Sequence, residues 1–470
     1  MINLEKKTKI VCTIGPATTS VEKLSALLEA GMNVVRMNFS HGDFAEHQQK
    51  VDNLKVAVEK TGIPCAMLQD LAGPKIRIGT FKTEPVMLKE GAFFTLTTEK
   101  IEGDVNRVSV NYAPLPKDVK VGGYIMLHDG KKKLQIVEIK GSDVKCKIIV
   151  GGEIKGKRGV NLPGAYLSIA SLTEKDKKDI AFGLKNKVDF FAFSFVRRPS
   201  DVEELRGILN KAKSDAKIIA KIEDQEAIEN IDKLVDLVDG VMIGRGDLAI
   251  EIGAENMPIT QKMIIDKCNA AGKPVITATQ MFESMIKNAT PTRAEVSDVA
   301  NAIFEGTDAV MLSEETTLGD YPVQAVSMMA LVSKTTEHGI AKEHETKWKT
   351  MGVVESVGAA AVQVAHDVKA KAIFVLTNSG QSVFMVSKNK PNLPIIGMTH
   401  NTRTANQLLL SYGCKPVLVP RMLTLAEVSK QVREITKKFK IGVKGDKVVV
   451  VAGMPLGKTA ETSAVMVEVI

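Results

Sequence analysis

Lys217-Ile-Ile-Ala-Lys-Ile-Glu223 and Val241-Met-Ile-Gly-Arg-Gly-Asp247 flank an amphipathic interval over residues 225–238. Each run is short, apolar and without strict alternation, which reads as a strand buried on both faces. The interval keeps helical spacing. Strand, helix, strand is therefore the unit, and it recurs in both directions along the chain. Further buried runs lie at 8–15, 32–38, 65–70, 190–196, 274–280 and 308–313, with helical stretches such as Val21–Ala30, 201–212 and 292–305 between them. Eight buried strands alternating with helices predict an α/β protein built on a (β/α)8 TIM barrel. An open doubly wound sheet is the alternative.

The alternation breaks once. After the third strand, residues 73–163 carry short alternating segments, including Phe93–Thr97, 107–110 and 145–150. Turn signals punctuate them at Val121-Gly-Gly-Tyr124, His128-Asp-Gly130 and Val150-Gly-Gly-Glu153. A small β-barrel lid inserted into a barrel loop fits this pattern. The eighth strand and its helix are expected to end near Ala330. Parallel strands then resume at 370–377, 394–399, 415–419 and 447–452. The division is thus 1–72 and 164–345 for the barrel, 73–163 for the lid, and 346–470 for a C-terminal α/β regulatory domain with a mostly parallel sheet.

Hydrophobic residues make up 44% and charged residues 25%, the balance of a globular chain, which excludes disorder and fibrous repeats. No apolar run is long enough to span a membrane, and no signal peptide is visible. Five dispersed cysteines without a Cys-x-x-Cys read as reduced thiols, so a cytoplasmic location is expected. Lysine and arginine exceed acids by 63 to 55. The lysines are scattered and aromatics are only 4%, which favours anionic small molecules over nucleic acid as partners.

Chemistry concentrates where the strands end. The third, fifth and sixth finish in Asp70, Glu223 and Asp247, with Lys221 two residues before Glu223. The second leads into Arg36-Met-Asn38-Phe-Ser40, the seventh ends in Thr279, and Ser313-Glu314-Glu315 follows the eighth. In a barrel these ends share one mouth, where active sites are built. Two carboxylates there suit Mg²⁺ or Mn²⁺, and Lys221 suits a transferring phosphoryl group or a developing enolate. Any one of these acids could instead be a helix cap, and Arg36 alone a structural ion pair.

The segment Ala452-Gly-Met-Pro-Leu-Gly457-Lys458-Thr459 imitates a phosphate-binding P-loop. A nucleotide domain does not follow it, and 464–470 reads as a strand. With Thr377-Asn378-Ser379-Gly380-Gln381-Ser382 it could hold a phosphorylated effector, with Lys458 and Thr459 as contacts; as an alternative, both turns are only caps.

Together the segments resemble the pyruvate kinase family. The resemblance is carried by Lys9-Ile-Val-Cys-Thr-Ile-Gly-Pro16, Asn33-Val-Val-Arg-Met-Asn-Phe-Ser-His-Gly42, Gly159-Val-Asn-Leu-Pro-Gly164 and Ile219-Ala-Lys-Ile-Glu223. It continues through Gly244-Arg-Gly-Asp-Leu248, Thr279-Gln-Met281 and Pro291-Thr-Arg-Ala-Glu295. It implies glycolytic phosphoryl transfer from phosphoenolpyruvate to ADP, a homotetramer and allosteric control. By the same resemblance, Glu223 and Asp247 hold Mg²⁺, and Arg36 and Lys221 act on the phosphoryl group. Gly246 and Asp247 receive the substrate carboxylate through backbone N–H groups, and Thr279 helps deliver a proton. Asn38, His41, Arg77 and Arg158 lie near the nucleotide.

Departures from the family pattern are informative. Arg158 stands where lysine is usual, Glu314 replaces a glycine, and Gly457-Lys-Thr-Ala460 replaces the usual effector-loop ending. At the position of K⁺ in relatives, Asn38, Ser40 and Asp70 are kept. Leu71 replaces a threonine, and Lys75 replaces a glutamate. Lys75 is expected to supply the positive charge itself, making the enzyme K⁺-independent.

Overall fold

The computed structural model describes residues 6–339, 352–456 and 461–470. Eight parallel strands close into a barrel. They are β1 (Lys9–Thr13), β2 (Val34–Asn38), β3 (Ala66–Asp70), β4 (Phe190–Phe193), β5 (Lys217–Ile222), β6 (Gly240–Gly244), β7 (Val275–Ala278) and β8 (Ala309–Leu312). β8 returns to β1 with Ala309 opposite Lys9. The lack of alternation has a direct cause: inward side chains such as Val11, Leu68, Phe190, Ile219, Met242 and Ile276 fill the lumen, while outward neighbours pack under the helices. Leu409 and Leu410, from the C-terminal domain, join the lumen cluster.

Helix ends follow local chemistry. Thr292 caps Arg293–Glu305 through a capping box with Glu295, and Gly306 closes it in a left-handed conformation. Four expectations need correction. The run 190–196 ends as a strand at Phe193, and Phe195 takes a positive φ of 54°. The interval 225–238 is two helices, Gln225–Glu229 and Ile231–Leu237, broken at Asn230, whose side chain donates to the carbonyls of Arg197 and Glu226. The run 241–247 stops as a strand at Gly244, and Asp247 lies in the first turn of the helix Arg245–Ile252. A Cβ at Gly244 would sit 2.6 Å from Cγ of Glu223, so only glycine lets β6 pass so close to that side chain. The last barrel helix, Pro322–Gly339, runs beyond Ala330.

The insertion is a curled six-stranded sheet with a two-stranded ribbon, closed over its own core around Phe94, Leu96 and Tyr112. Bridges Arg77–Gly159 and Ile78–Val110 draw its edges in. The C-terminal sheet runs Cys414–Leu418, Ile395–Thr399, Ile373–Leu376, Lys447–Gly453, Thr462–Val469; the first four strands are parallel and the last is antiparallel. All five cysteines are buried and unpaired. Among the described residues, no helix is long and apolar enough to cross a membrane.

Candidate active site

β5 sets the centre. Lys221 and Glu223 are two residues apart, so both face the lumen at the mouth. The Lys221 Nζ is 3.0 Å from Glu223 Oε1 and 3.3 Å from Asp70 Oδ1, and it donates to Ser194 Oγ at 2.7 Å. Ser194 Oγ in turn donates to Asp70 Oδ1 at 3.2 Å. From β2, the Arg36 Nε donates to Asp70 Oδ2 at 2.6 Å, and its Nη1 to Thr13 Oγ1 at 2.8 Å. Two cations and two carboxylates therefore interlock in a nearly dry site.

The electrostatics follow from that lattice. Burial pushes the Asp70 carboxyl up, but Lys221 and Arg36 outweigh it and hold the group below its usual range. Burial opposes the charge on Lys221, yet Asp70 and Glu223 raise its affinity for a proton. Glu223 is raised by burial first; Lys221 opposes this, and the neighbouring Asp247 adds to it. The Phe195 N–H, turned by its positive φ, donates to Glu223 Oε2 at 2.9 Å.

Glu223 and Asp247 line one cavity between the barrel mouth and the lid, together with Lys75, Asn161, Asp224 and Glu251. Among the described residues, no group of three or more His, Cys, Asp or Glu could hold a metal ion. A hard divalent ion that takes two protein carboxylates and completes its shell with substrate and water oxygens fits this donor set. The proximity of Asp247 to Glu223 is a repulsion that such an ion would relieve.

Just past β7, Thr279 has φ 70° and Gln280 φ 55°, both left-handed. Thr279 Oγ1 donates to the Ala278 carbonyl at 2.6 Å and accepts from the Gly246 N–H at 2.9 Å. Gly246 and Thr279 are thus brought together. Other expected residues lie apart from this lattice. Asn38 Oδ1 accepts from the Ser40 N–H at 3.1 Å, and Ser40 and His41 are exposed. Burial, then Lys75, Arg77 and Arg36, lowers the His41 imidazole below its ordinary value. Arg77 lies on the lid, with its Nη1 donating to the Lys157 carbonyl at 2.9 Å, and the buried Arg158 Nε makes no hydrogen bond. Leu71 is fully buried, and its N–H donates to the Ala192 carbonyl at 2.9 Å.

In the C-terminal domain, some polar groups of the candidate effector loop already have partners within or beside it. Thr377 Oγ1 accepts from the Gly380 N–H, the Asn378 carbonyl accepts from Thr404, and Ser382 Oγ lies 2.5 Å from Thr462 Oγ1. Ser379 and Gln381 are exposed, and Gly380 has φ 93°. Lys458 and Thr459 lie outside the described residues.

Sequence reasoning missed Ser194, Thr13, Arg245 and Glu251. Ser194 was detectable as the lone hydroxyl in a run of phenylalanines. Arg245 stands inside Gly244-Arg-Gly-Asp-Leu248, but its partners are 33 or more residues away in the chain, apart from Gln261.

A closed parallel barrel, with arginine, lysine and three carboxylates gathered at its C-terminal mouth beneath an inserted lid, defines a barrel phosphotransferase. The chain belongs to the pyruvate kinase family. Residues 5–326 match the family model for the pyruvate kinase barrel domain, and residues 355–468 that for its alpha/beta domain. Pyruvate kinase of Geobacillus stearothermophilus is 43% identical over 476 residues, covering 99% of this chain and 81% of the relative. That of Staphylococcus epidermidis is 42% identical over 475 residues, covering 99% and 80%. A crystal structure of a pyruvate kinase from Cryptosporidium parvum superposes with a TM-score of 0.95 at 36% identity, covering 99% of this chain and 96% of that one.

Proposed function

We propose that this enzyme moves the phosphoryl group of phosphoenolpyruvate to ADP, and that Glu223 and Asp247 hold the Mg²⁺ or Mn²⁺ it uses. The observation that carries this is Lys221, buried between Asp70 and Glu223 with Arg36 beside it. Such transfer asks for positioning and charge neutralisation rather than covalent chemistry. The ion supplies neutralisation of developing negative charge on substrate oxygens. Lys221 and Arg36 would add positive charge for the transferring group. The backbone N–H groups of Gly246 and Asp247 receive the substrate carboxylate. Thr279 Oγ1 gives up its bond to Gly246 as that happens, and is then free to orient the water that protonates the enol carbon.

Residues 73–163 act as a lid that excludes water, with His41, Asn38, Arg77 and Arg158 toward the nucleotide. K⁺ independence gains support from Asp70, both of whose oxygens are already engaged, and from Lys75 on the cavity wall. A phosphorylated effector at 377–382 with Lys458 and Thr459, a homotetramer and a cytoplasmic location complete the assignment. The test is equimolar pyruvate and ATP from phosphoenolpyruvate, ADP and Mg²⁺, with none after chelation.

A further inference from the structure

Thr279 is a β-branched residue in the left-handed region, followed by a second left-handed residue, Gln280. Such a pair persists only when its surroundings hold it there. β7 has ended at Ala278, so sheet partners are gone and the turned carbonyls need other donors. The Ala278 carbonyl accepts from the Thr279 hydroxyl, and one buried side chain donates to both carbonyls. The Arg245 Nε donates to the Ala278 carbonyl at 3.1 Å and to the Thr279 carbonyl at 3.3 Å, and Nη2 donates to the Thr279 carbonyl at 2.6 Å.

The guanidinium is itself clamped. Its Nη1 donates to Asp298 Oδ1 at 2.9 Å and to Gln261 Oε1 at 3.4 Å, and its Nη2 lies 2.8 Å from Asp298 Oδ2 and from Met281 Sδ. We propose that Arg245 is the positioning residue for proton delivery: it locks the Thr279 backbone and so fixes where its hydroxyl stands at the barrel mouth. Arg245 also opens the helix that carries Gly246 and Asp247, so one planar fork ties the proposed carboxylate cradle after β6 to the hydroxyl after β7. Lysine cannot reproduce that fork. Relaxation of Thr279 toward extended backbone swings Oγ1 away from the substrate carbon, while Lys221 and Arg36 remain in place. This assignment rests on the proton-delivery role given to Thr279 above.

The step affected forms the C3–H bond of pyruvate with a proton taken from water, which is then replenished from solvent. Two rates separate it from phosphoryl transfer: ATP formation, and exchange of pyruvate methyl protons into D₂O, followed by NMR with ATP and Mg²⁺ present. Arg245→Lys is expected to slow exchange at least about tenfold more than ATP formation. Asp298→Asn, which loosens the clamp without touching Thr279, skews the two rates in the same direction by less, and decides the matter if Arg245→Lys does not fold. Equal losses in both rates for the folded variants overturn the assignment, because a merely structural arginine would lower them together. Thr279→Ala, measured alongside, separates the premise: an unchanged ratio there removes proton delivery from Thr279 itself.

Discussion

The Nζ of Lys221 lies 3.0 Å from Oε1 of Glu223, and the two residues are neighbours on one face of the strand end. The same contact serves two purposes. It opposes the rise in proton affinity that burial causes at Glu223, and it places the cation beside an oxygen of the proposed metal site. Glu223 is otherwise pushed up by burial and by Asp247. A divalent cation held by both carboxylates would relieve that repulsion. Glu223→Gln should weaken Mn²⁺ binding by at least about tenfold in a titration followed by water-proton relaxation, since it deletes one of two anionic ligands. Unchanged affinity would move the metal elsewhere.

Burial, and then Asp224, push Glu251 up to about 8, against hydrogen bonds from the Asn161 side chain and the Leu162 N–H. In the unfolded chain a glutamate titrates near about 4.3. Between those values the folded state binds the extra proton, so stability falls as pH rises through that window. The melting temperature of the metal-free enzyme should decline more steeply from about pH 5 to about pH 8 than that of Glu251→Gln. Parallel declines would show that Glu251 is ordinary.

Lys75, an exposed residue, lines the cavity that Asp247 and Glu223 also line. A K⁺ ion about 4 Å away would be repelled by ~4 kcal/mol at an effective dielectric of 20. Activity in tetramethylammonium buffer should rise by less than about tenfold on adding K⁺, while Lys75→Glu should create a K⁺ requirement. A larger rise in the wild type would return the site to the ion.

At the opposite end of the barrel, the Lys390 Nζ lies 2.8 Å from Asp308 Oδ1, with both side chains almost fully buried. Asp308 also accepts from the N–H groups of Val275 and Tyr412, so the pair joins barrel to C-terminal domain. Lys390→Met strands a buried carboxylate and should cost about 3–5 kcal/mol, read from the urea midpoint. A loss under about 1 kcal/mol would mean that Asp308 finds another partner or a proton.

The barrel was legible because lumen-filling strands must be apolar on both faces, as in Phe190–Phe193 and Gly240–Gly244. Lys221, Glu223 and Asp70 stood out as charges at the ends of such runs. Asp247 reads in the sequence as a strand end but lies in a helix, because the turn into that helix depends on the close passage of Gly244 by Glu223. Periodicity cannot register that contact. Arg245 was invisible for the same reason: its carbonyl partners become acceptors only once Thr279 adopts a left-handed backbone. Asn230 broke an otherwise continuous helical pattern through a tertiary hydrogen bond to Arg197.

Single-turnover transfer of the phosphoryl group from phosphoenolpyruvate to ADP, in wild type and Lys221→Met, tests the central claim most directly. The wild type with Mg²⁺ should yield ATP and pyruvate one for one. Lys221→Met should be slower by about a thousandfold or more while still binding Mn²⁺, because it loses charge stabilisation where charge develops. No transfer by the wild type with either metal, with or without phosphorylated effectors, would contradict the assignment, as would a variant within about tenfold of it.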